Sequence, residues 1–199
     1  MTHNCAIIFL NLKNAILTNE AEFINALKDN KLKDKAFKML LDLYQERLYW
    51  HIRKFVISHE DADDVLQNTF IKVYRNLHNF KQNSSLHTWM YRIAYNESMN
   101  QLAKNGKIQF LNIEDENQKV INNLQADSYF EGEEIQIKLQ KAILELPIKQ
   151  QEVFKMKYFD DLKFREISEI SGINEATLKS SYYAAVKYIE EFMTSLQTK

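Results

Sequence analysis

Residues 166–192 read EISEISGINEATLKSSYYAAVKYIEEF, and this stretch decides how the C-terminal part of the chain folds. Apolar residues recur at helical spacing on both sides of the turn-forming run 171–174 (SGIN). The positions that two crossing helices would bury are Ile167, Ile170, Ile173, Leu178 and Val186. The pattern predicts a short helix at 163–170, a tight turn and a long final helix at 175–195, which together form a helix-turn-helix unit.

Two more helices are predicted upstream of this unit. One spans about 133–145 and ends before Pro147, a residue suited to the first turn of a new helix. The next helix continues to Phe159, and the acidic pair Asp160-Asp161 forms the turn that follows. The C-terminal block is therefore entirely helical.

The N-terminal block shows the same periodicity. Apolar residues spaced three and four apart predict a helix at 33–57. Ser58, with Asp61 in the capping-box position, begins a second helix that ends near residue 78. The polar run 83–85 (NSS) caps a third helix that continues to about residue 104. These antiparallel helices predict a small bundle of three to four helices.

Composition agrees with an all-α fold. The 199 residues are 45% hydrophobic and 12% aromatic, enough for a real core, while three Gly and one Pro leave little material for β-turns. One Cys excludes an intramolecular disulfide, and the five His lack zinc-ligand spacing, so we expect no metal and no cofactor. The apolar run 5–10 is too short to span a bilayer, so we expect no membrane insertion and a cytoplasmic protein.

Charge divides the chain into segments. Residues 112–134 carry seven acidic and one basic residue without a sustained apolar period, which predicts a solvated linker. Residues 1–111 have a net charge of +4 and residues 135–199 a net charge of +1. We therefore expect two small helical domains joined by an acidic linker, with bounds 1–19 (N-terminal extension), 20–108, 109–134 (linker) and 135–199.

Candidate recognition residues lie in both blocks. The outward side of the last helix would present Thr177, Lys179, Ser180, Ser181 and Tyr183, which suit phosphate oxygens and base edges. An ordinary helical hairpin would show the same apolar spacing. In the first block, residues 80–104 interleave aromatic and basic side chains, a composition that suits single-stranded DNA. Trp89 aligns with the apolar stripe and is expected in the core.

Catalysis finds little support in the sequence. The chain has no nucleophile-base pair, Gly-rich phosphate loop or HExxH motif. The paired carboxylates Asp63-Asp64 lie at the head of a helix, where stabilisation of the helix dipole is their commoner use. We therefore do not expect an enzyme.

Two long strings together resemble one family. DADDVLQNTFIKVYRNLHNFKQNSSLHTWMYRIAYNESMNQL (61–102) is similar to region 2, and LPIKQQEVFKMKYFDDLKFREISEISGINEATLKSSYYAAVKYIEEF (146–192) is similar to region 4, of bacterial RNA polymerase sigma factors of the extracytoplasmic-function (ECF) group. The resemblance covers about residues 20–192. It implies a factor that binds core polymerase, directs it to promoters and promotes promoter melting.

The resemblance also implies roles for individual residues. The surface for the clamp helices of the polymerase β′ subunit would be Asp63, Asp64, Gln67 and Asn68. The surface that recognises and melts the minus-ten element would be Lys72, Phe80, Lys81, Asn83, Ser84, Ser85, His87, Arg92 and Asn96. The surface for the minus-thirty-five element would be Thr177, Lys179, Ser180, Ser181, Tyr183, Ala184 and Lys187.

Region 4 departs from the family pattern. Family recognition helices of the form TVKSRLxRAR carry Arg where this chain has Ser181, Ala184 and Val186. Fewer cationic contacts predict weaker phosphate affinity and a smaller salt dependence. The implied partners are core RNA polymerase, through its β′ clamp and β flap, promoter DNA and an anti-sigma factor. The acidic linker would lie in the polymerase channel that RNA later occupies; an idle tether is the alternative.

Two other functions fit parts of the sequence. A helix-turn-helix regulator that binds a duplex operator without being a polymerase subunit would need a sensor or dimerisation module in the first block. An all-α interaction scaffold would leave the DNA-facing residues without a role.

Overall fold

The computed structural model describes residues 20–56, 58–104 and 134–195. All regular secondary structure within these ranges is helical. The all-α expectation is confirmed. The helices are α1 (Glu20–Lys28), α2 (Lys33–Arg53), α3 (His59–Asn76), α4 (Leu86–Lys104), α5 (Glu134–Glu145), α6 (Ile148–Tyr158), α7 (Phe164–Ser171) and α8 (Glu175–Ser195). A 3₁₀ turn, Leu77–Asn79, extends α3.

Helices α1 to α4 form the N-terminal bundle. The Ser58 hydroxyl accepts a hydrogen bond from the Asp61 backbone N–H at 3.0 Å and begins α3, as its sequence predicts. Helix α2 ends at Arg53, earlier than periodicity predicts, because the chain turns there to enter α3. Helix α1 is the fourth helix of the bundle, and no sequence pattern located it; it buries Phe23, Ile24 and Leu27 against the other three helices.

Helices α5 to α8 form the C-terminal unit. Pro147 separates α5 from α6, and the Gln151 side-chain amide donates to the backbone oxygens of Leu144 and Leu146, which fixes the turn. Gly172 adopts a φ of 75° between α7 and α8, a left-handed conformation that favours glycine. The helix-turn-helix geometry predicted from residues 166–192 is therefore present.

The two units share one continuous apolar core. Helix α4 packs against α7, so Met90 and Tyr91 of the bundle lie in the same buried cluster as Ile167 and Ile170 of the helix-turn-helix. A second, smaller cluster joins α5, α6 and α8 around Ile143. The sequence patterns predict two domains joined by a linker and give no sign of a contact between them. The structure shows that the two units pack closely.

The expectations for the N-terminal extension and for the acidic linker lie outside the described residues, except for Glu134 at the start of α5. Within the helices that are described, none combines the length and the apolar character that crossing a bilayer requires.

Candidate nucleic-acid interface

The outward face of α8 is polar and open to solvent. Buried Leu178, Ala185 and Ile189 hold the opposite face of the helix against α5, α6 and α7. The predicted contact residues on the outward face are exposed: Thr177, Lys179, Ser180, Tyr183, Ala184 and Lys187. Ser181 is the exception, since it is half-buried. Most of the predicted set therefore lies on one accessible surface.

Local hydrogen bonds fix the first turn of α8. The Asn174 side-chain oxygen accepts from the Thr177 backbone N–H at 2.9 Å, which caps the helix. The Ser180 hydroxyl donates within its own helix, to the backbone oxygens of Ala176 and Thr177. The Lys179 Nζ lies 3.5 Å from Oε2 of Glu175, and both side chains are exposed to solvent. Another anion can therefore readily replace Glu175 as the partner of Lys179.

The segment before α4 forms a second polar surface. Lys81 and Asn83 are exposed and Ser84 is half-buried, and Gln82 between them has a φ of 58° that marks a tight turn. The Ser85 hydroxyl accepts from the Thr88 backbone N–H at 3.1 Å. Ser85 therefore has a structural role as the cap of α4 in addition to the DNA contact predicted for it.

Phe80 is buried, and the DNA contact predicted for it stays a prediction. The sequence places its ring beside unpaired bases, whereas in the structure the residue is 4% exposed and its ring packs on Trp89, with 4.8 Å between ring centroids. The Lys28 ammonium of α1 donates to the Phe80 backbone oxygen at 2.6 Å and ties the segment before α4 to α1. Burial of a large aromatic side chain is favourable, and the turn before α4 turns this ring inward. Trp89, expected in the core, is only partly buried.

The outer surface of α4 carries the remaining minus-ten candidates. Arg92 and Asn96, four residues apart, are exposed on the same side of the helix. Lys72 of α3 reaches over to Glu97 of α4, with 2.5 Å between Nζ and Oε1. His87, at the start of α4, is half-buried against Tyr91, with 4.1 Å between ring centroids. The structure thus brings residues of α3 and α4 to one area.

The acidic end of α3 is a third exposed surface. Its buried side consists of Ala62, Val65 and Thr69, which face the bundle. The side chains predicted to bind the polymerase are all exposed: Asp63, Asp64, Gln67 and Asn68.

Polar contacts join the two units across the shared core, and the sequence analysis missed them. Asp160, in the turn after α6, accepts a hydrogen bond from His51 of α2 at 2.8 Å and binds the Lys54 ammonium through its other oxygen. The Tyr95 hydroxyl donates to the Glu152 carboxylate at 3.1 Å. No local pattern signals these pairs, because their members lie 57 to 109 residues apart.

Burial and neighbouring groups together set the protonation of His51 and Asp160. Burial lowers the pKa of His51, even though the Asp160 carboxylate opposes the shift. Burial would raise the pKa of Asp160, but the hydrogen bond from His51 and the adjacent Lys54 ammonium hold it below its ordinary value. Neutral His51 and ionised Asp160 are thus the favoured forms, and the imidazole Nδ1–H donates to the carboxylate.

Comparison with known proteins identifies both halves of the chain. Residues 40–108 match sigma-70 region 2, and residues 136–189 match sigma-70 region 4. The ECF RNA polymerase sigma factor SigW of Bacillus subtilis is 30% identical over 73% of this chain and 82% of its own length. The chain belongs to the ECF sigma factor family. The ECF RNA polymerase sigma-E factor of Haemophilus influenzae is 29% identical to this sigma factor, over 78% of this chain and 86% of the relative.

Solved structures show the same fold. The sigma factor RpoE from Bartonella quintana, solved in complex with the anti-sigma factor NepR, aligns with a TM-score of 0.61 at 21% identity, over 80% of this sigma factor and 98% of that chain. CnrH, solved in complex with the cytosolic domain of CnrY, aligns with a TM-score of 0.63 at 16% identity, over 89% and 97% of the two chains.

Membership of the family gives the chain its function. This sigma factor associates with RNA polymerase and directs transcription initiation, and sigma factors as a class are non-catalytic initiation factors. Region 2 precedes region 4 in one chain, an order that does not favour the alternative of a regulator acting without polymerase.

Proposed function

We propose that this sigma factor divides promoter recognition between its two regions. The observation that carries the proposal is that each of the two helical units has exposed polar candidates, on α4 and the segment before it in one unit and on α8 in the other. Region 2, with bounds 20–108, would bind and melt the minus-ten element, and region 4, with bounds 135–199, would bind the minus-thirty-five element.

Region 2 reaches unpaired DNA mainly through polar side chains in this proposal. Lys81, Asn83, Arg92 and Asn96 are exposed and can follow a single strand and contact base edges. Lys72 joins them once DNA phosphate replaces Glu97 as its partner. The buried Phe80 acts indirectly, by holding the segment before α4 in place.

Region 4 presents α8 to the major groove of duplex DNA. Hydroxyl groups and two lysines, Lys179 and Lys187, lie on its open face, where they can contact phosphates and base edges. Because Ala184 contributes no cation, the phosphate contacts are few. We therefore expect the free protein to bind duplex promoters weakly and to gain specificity with polymerase.

The partners follow from the three surfaces. The acidic end of α3, with Asp63, Asp64, Gln67 and Asn68, would bind the β′ clamp, and region 4 would also meet the β flap. The acidic linker, residues 109–134, would pass through the basic RNA channel. A sigma factor of this fold has been solved with an anti-sigma factor, and we extend that class of partner to this chain. The site of action is the cytoplasm, and the factor supplies recognition, not catalysis.

Run-off transcription with core polymerase of the source bacterium tests the proposal. Genomic fragments transcribed with core plus this protein, and not with core alone, identify its promoters. A specific transcript that depends on the added protein supports the proposal. Tight sequence-specific duplex binding by the free protein, without any protein-dependent transcript, would instead support an independent regulator.

A further inference from the structure

The packing of region 4 on region 2 brings α7 against part of the proposed minus-ten surface. The Arg92 Nε donates to the backbone oxygen of Glu169, so α7 lies directly beside this side chain. His87 lines a cavity of about 470 Å³ whose other walls include Trp50, Phe159 and Asp160. A DNA strand that used both Arg92 and His87 would have to displace part of region 4.

The contact contains a clamp of three polar residues. The two carboxylate oxygens of Asp160 bind different partners on region 2, His51 Nδ1 at 2.8 Å and the Lys54 ammonium. The side chains are 5% exposed for Asp160, 0% for His51 and 19% for Lys54. An ion pair at this depth is screened little by salt, unlike a surface pair.

Loss of the Asp160 charge would destabilise the closed arrangement more than the open one. If Asp160 lost its charge, Lys54 would remain at the contact without its counter-ion, an arrangement that strongly disfavours the packed state. Separation of the regions would return Lys54 and His51 to water. The same substitution therefore weakens the closed arrangement without a comparable cost in the open one.

We propose that the Asp160 clamp holds the free sigma factor in a closed, self-inhibited arrangement, which must open before region 2 binds promoter DNA. This inference rests on the proposed function, because it assumes that Arg92 and His87 face the minus-ten element. Region 4 thus acts as an intramolecular competitor of the DNA strand. Binding of the polymerase, which needs the two regions on separate promoter elements, would favour the open arrangement.

Adjacent carboxylates provide a matched pair of variants in the full-length protein. Asp160→Asn removes the charge of the clamp. Asp161→Asn removes the same charge one residue later, where the carboxylate is 97% exposed and the φ of 50° suits asparagine as well as aspartate. Asp160→Asn combined with Lys54→Met removes both charges of the clamp, so closure should return. A single variant that had simply misfolded would not recover in this way.

Two readouts report opening without DNA. Small-angle scattering should show a radius of gyration at least ~2 Å larger for Asp160→Asn than for wild type. In a Trp89→Phe background, Trp50 is the remaining tryptophan and lines the cavity beside Asp160, so opening should increase its quenching by acrylamide. Asp161→Asn and the double variant should match wild type. Equal radius and equal quenching in Asp160→Asn and wild type would overturn the clamp.

A third readout tests inhibition itself. The probe is a fluorescent non-template strand of a promoter that run-off transcription has identified. Asp160→Asn should bind this strand about tenfold more tightly than wild type or Asp161→Asn, because a larger fraction of the protein is competent to bind. Opening without tighter strand binding would overturn self-inhibition. Such a result would leave the proposed function intact as long as wild type still supports transcription with core polymerase, whereas loss of that transcription would count against the proposed function.

Discussion

The rings of Phe80 and Trp89 lie with their centroids 4.8 Å apart and their planes inclined by 32°. This pair joins the segment before α4 to α4 itself, and Phe80 is almost fully buried in it. An aromatic residue that the sequence resemblance assigned to the minus-ten surface thus has a packing role in this structure.

Phe80→Ala should therefore lower stability. We expect the free energy of unfolding to fall by about 3 kcal/mol, because the substitution leaves a cavity beside Trp89. Urea denaturation followed by circular dichroism measures the change. Asn96→Ala, at an exposed position, is the comparison: it should unfold like wild type but fail to open a promoter, as permanganate reactivity of unpaired thymines would show. A Phe80→Ala variant of wild-type stability that is defective only in melting would contradict the packing role.

Asp64→Arg combined with Gln67→Ala should weaken binding to core polymerase at least ~10-fold without changing the fold. Both side chains are exposed on α3, away from its buried stripe. An arginine at position 64 would repel a polymerase surface that is complementary to the aspartate. Asp42→Arg, an exposed charge reversal on α2, is the control. Co-purification with core polymerase and circular dichroism provide the measurements. If core polymerase retained wild type and the double variant equally, this surface would not be part of the polymerase interface.

Lys179→Ala should weaken binding to the minus-thirty-five element and reduce its salt dependence by about one charge. Its ammonium is exposed near the start of α8, and its present partner Glu175 is itself exposed. Lys141→Ala, on the exposed side of α5, removes a cation elsewhere in region 4 and should change little. Promoter binding of the holoenzyme across a salt series measures the slope. Parallel slopes for Lys179→Ala and wild type would show that Lys179 does not contact phosphate.

Stability should decrease as the pH falls from about 7 to about 5. Burial lowers the pKa of His51 from its ordinary 6.5, so the unfolded chain binds a proton in this range that the folded protein does not. Around the imidazole, Asp160 favours its charged form and Lys54 disfavours it, and Tyr91 packs against the ring. Burial also lowers the pKa of His87, which acts in the same direction.

His51→Gln tests this assignment. A glutamine amide donates to Asp160 without titrating, so the loss of stability between the two pH values should be smaller than in wild type. Asp160, whose pKa is lowered, stays ionised throughout this range and loses its contribution only at more acidic pH. Urea midpoints at both pH values measure the difference. Identical pH dependence in the variant and wild type would assign the effect to other groups.

Lys155 should produce a second pH effect with the same sign at alkaline pH. Burial lowers its pKa from 10.5 to about 8, although Glu152 opposes the shift, so the unfolded chain holds a proton that the folded protein releases. The free energy of unfolding should therefore rise between pH 8 and about 10. Lys155→Met should abolish this rise, as urea midpoints at pH 7.5, 8.5 and 9.5 would reveal. A rise that persists in the variant would contradict the lowered pKa of Lys155.

The sequence by itself determined most of the helices and several of their ends. α4 and α8 begin and end close to where periodicity and caps predict, Ser58 caps α3, and Gly172 forms the turn of the helix-turn-helix. These features depend on residues within a few positions of one another, because capping bonds and apolar stripes act over one or two helical turns. The exposed face of α8 followed from the same periodicity.

Only the tertiary structure decided how the pieces meet. It turned the Phe80 ring inward, added α1 to the bundle and placed Asp160 against His51, 109 residues away in the chain. Such contacts depend on the complementarity of surfaces that are assembled from distant segments, and each partner taken alone has an ordinary local sequence. For that reason the sequence distinguished two helical units, whereas the packing of region 4 on region 2 required the folded chain.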